Sequence, residues 1–138
     1  MKDWYSFKPS GWKPPSLIGR SFVWSVHDCW SIIHDYYKEV KNINLKEWAR
    51  PKRIKDFIAS PIFEEGLPIT GFKKQENLND IQKDDVLLFQ SVTGNLDHVA
   101  LYVGDNMILN HNIHKLSCKE PLDMAYLQNL RGVYRYEP

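Results

Sequence analysis

The sequence is poor in cysteine, and none of its segments resembles a signal peptide or a membrane span. Its 138 residues include two cysteines, Cys29 and Cys118, and no Cys-x-x-Cys pair. This count excludes a disulfide framework and a zinc-ribbon pattern. No apolar run approaches the ~20 residues that cross a bilayer, and the first residues lack the hydrophobic region of a signal peptide. We therefore expect synthesis in a reducing cytoplasm and no membrane span.

The chain also lacks a strong excess of charge. Lys and Arg number 18 against 17 Asp and Glu, which leaves a formal net charge of +1. So small a charge does not favour nucleic acid as a partner. Hydrophobic residues make up 43% and charged residues 25%, as in ordinary globular proteins. The His and Cys spacings match no metal motif, so we expect neither a metal nor a cofactor.

Residues 1–16 differ in composition from the rest and are predicted to form an extended arm, followed by a single domain over residues 17–138. Prolines break both helix and sheet, and aromatic residues stand between them. These aromatic side chains are consistent either with core packing or with a strip that docks partner proteins. The residues concerned are Trp4, Tyr5, Pro9, Trp12, Pro14 and Pro15.

Helices are predicted in the first half of the chain. Apolar residues at helical spacing predict an amphipathic helix over residues 29–40, with Asp28 as its N-cap. A second helix is predicted from Asn44, because Glu47 stands three residues later as in a capping box. Pro51 either breaks or restarts this helix. Residues 59–80 are rich in Pro and Gly and are expected to be mostly loop, interspersed with short helical turns.

Strands are predicted in the last third. Val86–Phe89 is a short apolar run, and residues 98–103 alternate between two faces. Gly104-Asp-Asn106 is a hairpin turn signal, after which Met107 to Asn112 returns, and residues 133–136 are a candidate last strand. Helices followed by an antiparallel sheet predict an α+β fold.

Cys29 is the strongest candidate for a reactive residue. It follows the N-cap Asp28, so the backbone N–H groups and dipole of the helix are expected to favour the thiolate and to lower the thiol pKa. A single such cysteine with a histidine far along the chain is typical of a cysteine nucleophile and its base. The candidate base is His98. The alternatives are a buried structural thiol and a core histidine.

Four segments, in order, resemble the NlpC-type cell-wall peptidases, which are papain-like cysteine hydrolases. They are LIGRSFVWSVHDCWSIIHDYY (17–37), TGF (70–72), DDVLLF (84–89) and HVALYVGDNMILNH (98–111). The set is most similar to the branch found in phage tail-assembly proteins. Three positions depart from the common pattern: Phe22 stands for a frequent Tyr, Ser25 for a Gly and Lys83 for a Gly.

The resemblance implies a mechanism. Cys29 would attack an amide carbonyl, and His98 would take the thiol proton and return it to the leaving amine. A third polar residue would orient the imidazole, and backbone N–H groups near Cys29 would stabilise the oxyanion. The implied substrates are peptide stems of bacterial peptidoglycan. The implied location is a phage or phage-like tail tip; host cytoplasm is the alternative.

The third catalytic residue is either Asn110 or His111. Neighbouring strand residues point to opposite faces, so only one of the two faces His98. A two-residue turn would pair Ala100 with His111, and a three-residue turn would pair it with Asn110. The family places this residue twelve positions after the base, which favours Asn110.

Two rival functions are also compatible with the sequence. The protein could be a structural tail-tip component that keeps the hydrolase fold without activity. It could also be a related acyl hydrolase or transferase, because a Cys-His pair serves other amide or ester substrates equally well.

Overall fold

The structure is a computed structural model and describes residues 17–53, 55–56, 61–91, 94–95 and 97–138. The predicted arm over residues 1–16 lies outside the described residues.

The helices whose bounds lie within the described residues are α1 (Cys29–Val40), α2 (Ile62–Ile69) and α3 (Met124–Gln128). Helix α1 has the predicted bounds. Its first turn is capped by Asp28, and its buried face includes Ile32, Ile33 and Tyr37. Along the described part of the chain, no helix has the length and apolar character needed to cross a membrane.

Six strands form one antiparallel sheet in the order β1-β6-β2-β3-β4-β5. The predicted α+β class is thus confirmed. The last strand occupies an interior place between the first two, rather than an edge. The strands are β1 (Phe72–Lys74), β2 (Val86–Phe89), β3 (His98–Gly104), β4 (Met107–Asn110), β5 (Cys118–Pro121) and β6 (Leu130–Tyr136).

The sheet is buried on both faces. Val86 and Leu88 pack with α1 on one face, while Leu87 and Phe89 pack on the other with Ala100. Strand β2 is therefore apolar at every position, as expected of a strand covered on both sides. The two faces differ in what they contribute to the site, because helix α1, which begins at Cys29, packs on only one of them.

The β3–β4 hairpin combines a two-residue turn with a bulge. Asp105 and Asn106 both have positive φ, of 54° and 59°, as in a type I′ turn. The register then shifts between Tyr102 and Gly104, so that Tyr102 pairs with Ile108 and Leu101 with Leu109. One extra residue in β3 therefore gives the register that was predicted for a three-residue turn, which places Asn110 opposite Ala100.

The C-terminal half of α1 is tied to the turn before β2. The hydroxyl of Tyr36 donates to Oδ1 of Asp84 at 2.6 Å, and that of Tyr37 donates to the Asp84 backbone carbonyl at 2.6 Å. Lys41 adds an ion pair at 2.9 Å. The Asp-Tyr-Tyr and Asp-Asp segments quoted above therefore act together in fixing the helix to the sheet.

The segment ahead of α1 is hydrogen-bonded to Ser117, the residue before β5. Gly19 N–H donates to the Ser117 carbonyl at 2.8 Å, and Ser117 N–H donates to the Arg20 carbonyl at 2.9 Å. The Ser117 hydroxyl donates to the Leu17 carbonyl at 2.7 Å and accepts from the Arg20 N–H at 2.8 Å. Residues 17–20 and β5 are thereby joined.

Two predictions for the middle of the chain are wrong. Residues 42–50 form no helix, because their side chains serve tertiary contacts: Leu45 is buried, and the Trp48 ring packs directly against Gly66. The region expected to be mostly loop with short helical turns contains the eight-residue helix α2 and strand β1. Helix α2 carries Pro68 in its last turn, which obscured its helical pattern.

Candidate active site

Asp28 holds the start of α1 in place. It is fully buried, and Oδ1 accepts from the N–H groups of Trp30 and Ser31 at 3.2 and 2.9 Å. Oδ2 accepts from the Ser25 N–H at 2.7 Å and from Arg50 at 2.8 Å. These bonds satisfy the cap and place Cys29 as the first residue of the helix.

Burial makes the Cys29 thiol a weaker acid than the sequence predicted. The residue is 5% exposed, and this burial, with the adjacent Asp28 carboxylate, raises the pKa of the thiol to about 12. The backbone N–H of Val99 and the charge of Arg50 act in the opposite direction but do not prevail. The expected lowering by the helix N-terminus is therefore wrong, because desolvation of the thiolate is the larger effect.

His98 is held by Asn110. Its ring Nε2 lies 2.6 Å from Oδ1 of Asn110, which is 99% buried. Burial lowers the pKa of His98, although Asn110, Asp97 and Glu120 act to raise it. The imidazole is accordingly neutral at neutral pH.

The His111 side chain makes its contacts away from His98. Its ring is fully buried, its Nε2 donates to the Lys115 carbonyl at 3.0 Å, and its edge contacts the Phe22 ring. Of the two candidates for the third residue, the structure brings Asn110 to His98 and does not bring His111. The bulge in β3 is the physical reason.

The Cys29 thiol approaches the backbone of β3 at the residue after His98. The Cys29 sulfur interacts with the N–H of Val99, the residue that directly follows His98. Among the hydrogen bonds of the described residues, none joins the sulfur to the imidazole. Two cavities of about 180 and 240 Å³ lie beside Trp48 and Asp84 respectively, and neither is lined by Cys29 or His98.

Sequence reasoning missed the polar residues that surround Asn110. Glu120 and Tyr126 both bond its amide nitrogen, at 3.2 and 2.8 Å. They come from β5 and α3, neither of which was predicted. No motif marks them, and only the pairing of β4 with β5 reveals their position. Over the described ranges, no group of three or more His, Cys, Asp or Glu side chains is arranged to hold a metal ion.

A helix that begins at a cysteine and packs on an antiparallel sheet defines the class of this protein as papain-like α+β. The NlpC/P60 family profile matches residues 19–135. The chain therefore belongs to the NlpC/P60 family.

Two phage proteins are similar to this chain. Tail tip assembly protein K of Escherichia phage N15 is 22% identical over 144 residues, an alignment that covers 98% of this chain and 54% of that protein. Tail tip assembly protein K of Escherichia phage lambda is 27% identical over 124 residues, covering 88% of this chain and 60% of that protein. The chain thus spans little more than half the length of these relatives.

Two solved structures share the fold. An NlpC/P60 family protein from Bacillus cereus ATCC 10987 superposes with a TM-score of 0.55 at 21% identity, covering 88% of this chain and 37% of that one. A lipoprotein-like NLP/P60 protein from Staphylococcus aureus Mu50 gives a TM-score of 0.55 at 18% identity, covering 88% and 38%. At these identities the likeness establishes the fold alone.

Proposed function

We propose that this protein is a cysteine hydrolase that cleaves amide bonds in the peptide stems of bacterial peptidoglycan. Cys29 is the nucleophile, His98 the base, and Asn110 the residue that orients the imidazole. The observation that carries the proposal is the 2.6 Å contact between Asn110 Oδ1 and His98 Nε2, beside the strand residue whose N–H meets the Cys29 sulfur. Family membership supports the same chemistry.

The contact with Asn110 supports one tautomer of the neutral His98 ring. An amide oxygen only accepts, so the ring hydrogen of neutral His98 resides on Nε2 and leaves Nδ1 as the base. In the reaction, the Cys29 proton passes to Nδ1 while sulfur forms a bond to the substrate carbonyl carbon. The carbon–nitrogen bond then breaks, and His98 returns the proton to the leaving amine. Water, deprotonated by His98, hydrolyses the thioester.

The oxyanion would be stabilised by the backbone at the start of α1. The N–H groups of Trp30 and Ser31 are already bonded to Asp28. The N–H of Cys29 has no partner among the described residues, and it is adjacent to the reacting sulfur. It is therefore the donor we assign to the oxyanion.

The resting pair is neutral. The Cys29 pKa is raised to about 12 and the His98 pKa is lowered, both chiefly by burial. Proton transfer consequently accompanies the attack of sulfur, with His98 as a general base, instead of preceding it as a stable thiolate–imidazolium pair.

We further propose that the protein is a tail-tip component that acts on the cell wall during phage entry or in tail assembly. The two tail tip assembly relatives support this location. Delivery by a particle would bring the enzyme to its substrate without secretion. Residues 1–16 are the segment we assign to docking on other tail proteins.

The test uses purified protein and bacterial peptidoglycan, with release of new amino termini as the readout. The wild type should release them, Cys29→Ala should not, and Lys38→Ala, on the exposed side of the same helix, should match the wild type. Absence of release by the wild type, together with stable binding to tail proteins, would instead establish the idle structural protein. The 5% exposure of Cys29 is the observation that favours that second candidate.

A further inference from the structure

Behind Asn110 lies a second polar cluster that the proposed reaction does not use. Strand β5 pairs with β4 so that Asn110 faces Cys118 and Ile108 faces Glu120, which puts Glu120 on the Asn110 face of the sheet. Tyr126 approaches the same point from α3. Glu120 accepts from the Tyr126 hydroxyl at 3.0 Å and from the Cys118 thiol at 2.9 Å.

The two N–H bonds of the Asn110 amide are both used by this cluster. One is donated to Oε2 of Glu120 at 3.2 Å, and the other to the Tyr126 hydroxyl oxygen at 2.8 Å. The amide oxygen is left for His98. By holding the amide nitrogen, the cluster determines which atom of Asn110 faces the imidazole.

Glu120 determines the direction of the hydrogen bonds in the cluster. Burial alone raises its pKa, but hydrogen bonds from Cys118, Asn110 and Tyr126 outweigh burial and hold the pKa below its ordinary value. An ionised carboxylate accepts and never donates, so it cannot pair with the amide oxygen of Asn110. The Tyr126 proton is directed to Glu120, so its hydroxyl also accepts from Asn110.

We propose that Glu120, assisted by Tyr126, is a positioning residue that holds the Asn110 amide in one orientation and thereby selects the Nε2–H tautomer of His98. This inference rests on the proposed role of His98 as the base. In a flipped amide, Nδ2 would face His98 and donate to Nε2. The ring hydrogen would then move to Nδ1, which could no longer accept the thiol proton.

The direct test is the tautomer of His98, read from its ring nitrogen shifts in ¹⁵N NMR at pH 8. The five histidines are distinguished with a His98→Gln reference spectrum. The wild type should show the Nε2–H form. Glu120→Leu should shift the ratio of the two forms at least tenfold toward Nδ1–H, whereas Glu120→Gln, which keeps an acceptor oxygen, should largely retain the wild-type ratio. Glu76→Gln, at an exposed position, controls for charge and should leave the ratio unchanged.

A second variant covers the case in which Glu120→Leu does not fold. Tyr126→Phe removes one of the two acceptors of the Asn110 amide and should move the tautomer ratio in the same direction by a smaller factor. The proposal is overturned if every one of these two variants that folds, Glu120→Leu or Tyr126→Phe, keeps the wild-type tautomer ratio.

Kinetics add a separate readout. If the wild type hydrolyses peptidoglycan, Glu120→Leu should lower kcat about 100-fold with little change in KM, because misorientation of a catalytic group affects the chemical step. An inactive wild type would overturn the proposed function while leaving the tautomer measurement valid. An altered kcat without a tautomer change would overturn the positioning role alone.

Discussion

Nη1 of Arg50 lies 2.8 Å from Oδ2 of Asp28, one residue before the candidate nucleophile. The Asp28 side chain is fully buried and that of Arg50 is 11% exposed, so this is a shielded ion pair. The Arg50 guanidinium also stacks over the Trp24 ring at 5.1 Å. Segment 42–50 is thereby anchored to the start of α1.

Removal of Arg50 should be costly. Arg50→Met would leave the Asp28 carboxylate buried without its counter-ion, and we expect a loss of about 3 kcal/mol in the free energy of unfolding. Arg53→Met is the matched control: the Arg53 side chain is 67% exposed, so it should change stability by less than about 0.5 kcal/mol. Urea unfolding measures both. Equal stability of the two variants would contradict a shielded pair.

Alkylation by iodoacetamide reports the acidity of Cys29. Because its folded pKa is raised to about 12, we expect labelling at pH 7 to be slower than for a free thiol of pKa about 8.5, and to keep rising up to pH 10. Peptide mass spectrometry separates Cys29 from Cys118. A labelling rate that reaches a plateau below pH 7 would mean an ionised thiolate and would refute the neutral pair.

Acid should destabilise the protein through its buried histidines. Burial lowers the pKa of His111, so its stabilising contribution is complete above about pH 6.5 and is lost as pH falls through the lower folded pKa. Asp28, His27 and Arg20 are the charged or titratable side chains that act on this ring, along with the Lys115 carbonyl.

His111→Leu should therefore lose less stability than the wild type between pH 7 and pH 5. His98 has the same sign and remains in both proteins, but the charge of His111 also lowers the His98 pKa, so the difference combines the titration of His111 with its effect on His98. His114→Asn, at an exposed position with φ of 62°, should follow the wild type across the range. Thermal or urea unfolding at several pH values measures this; parallel curves for all three proteins would exclude His111 as a source of acid sensitivity.

Ser25 is strained. Its φ of 73° is in the left-handed region, where a side chain costs about 1–2 kcal/mol. Ser25→Gly should stabilise the protein by about 0.5 kcal/mol, since glycine's greater freedom in the unfolded chain offsets part of the gain. Ser25→Val should destabilise it, because a β-branched residue suits this region least. Midpoints in urea should fall in the order Gly, Ser, Val, and a Val variant as stable as wild type would disprove the strain.

Much of the scaffold was predictable because its signals are local. Helical spacing after Asp28 predicted α1 with the bounds it has, and the alternation after His98 predicted β3. The capping pattern at Asn44 failed because tertiary contacts of Trp48 and Arg50 hold that segment out of a helix. Local propensity is overridden where long-range packing is stronger.

The details of the candidate site were harder to predict. The turn at Asp105-Asn106 has the two residues expected of a type I′ turn, which alone would have selected His111; the bulge beside Val103 has no sequence signal and selects Asn110. The acidity of Cys29 depends on burial by distant segments, which a local argument from the helix N-terminus cannot include. The assignment of Asn110 as the orienting residue stays a prediction until it is tested by substitution.

The hydrogen bonds between residues 17–20 and Ser117 have a mechanical consequence. A pull on the chain at Leu17 would load these bonds and transmit the force to Ser117, the residue before β5. Strand β5 carries Glu120, which bonds Asn110. Tension on the N-terminal side of the domain would thus reach the candidate catalytic histidine through a single edge strand.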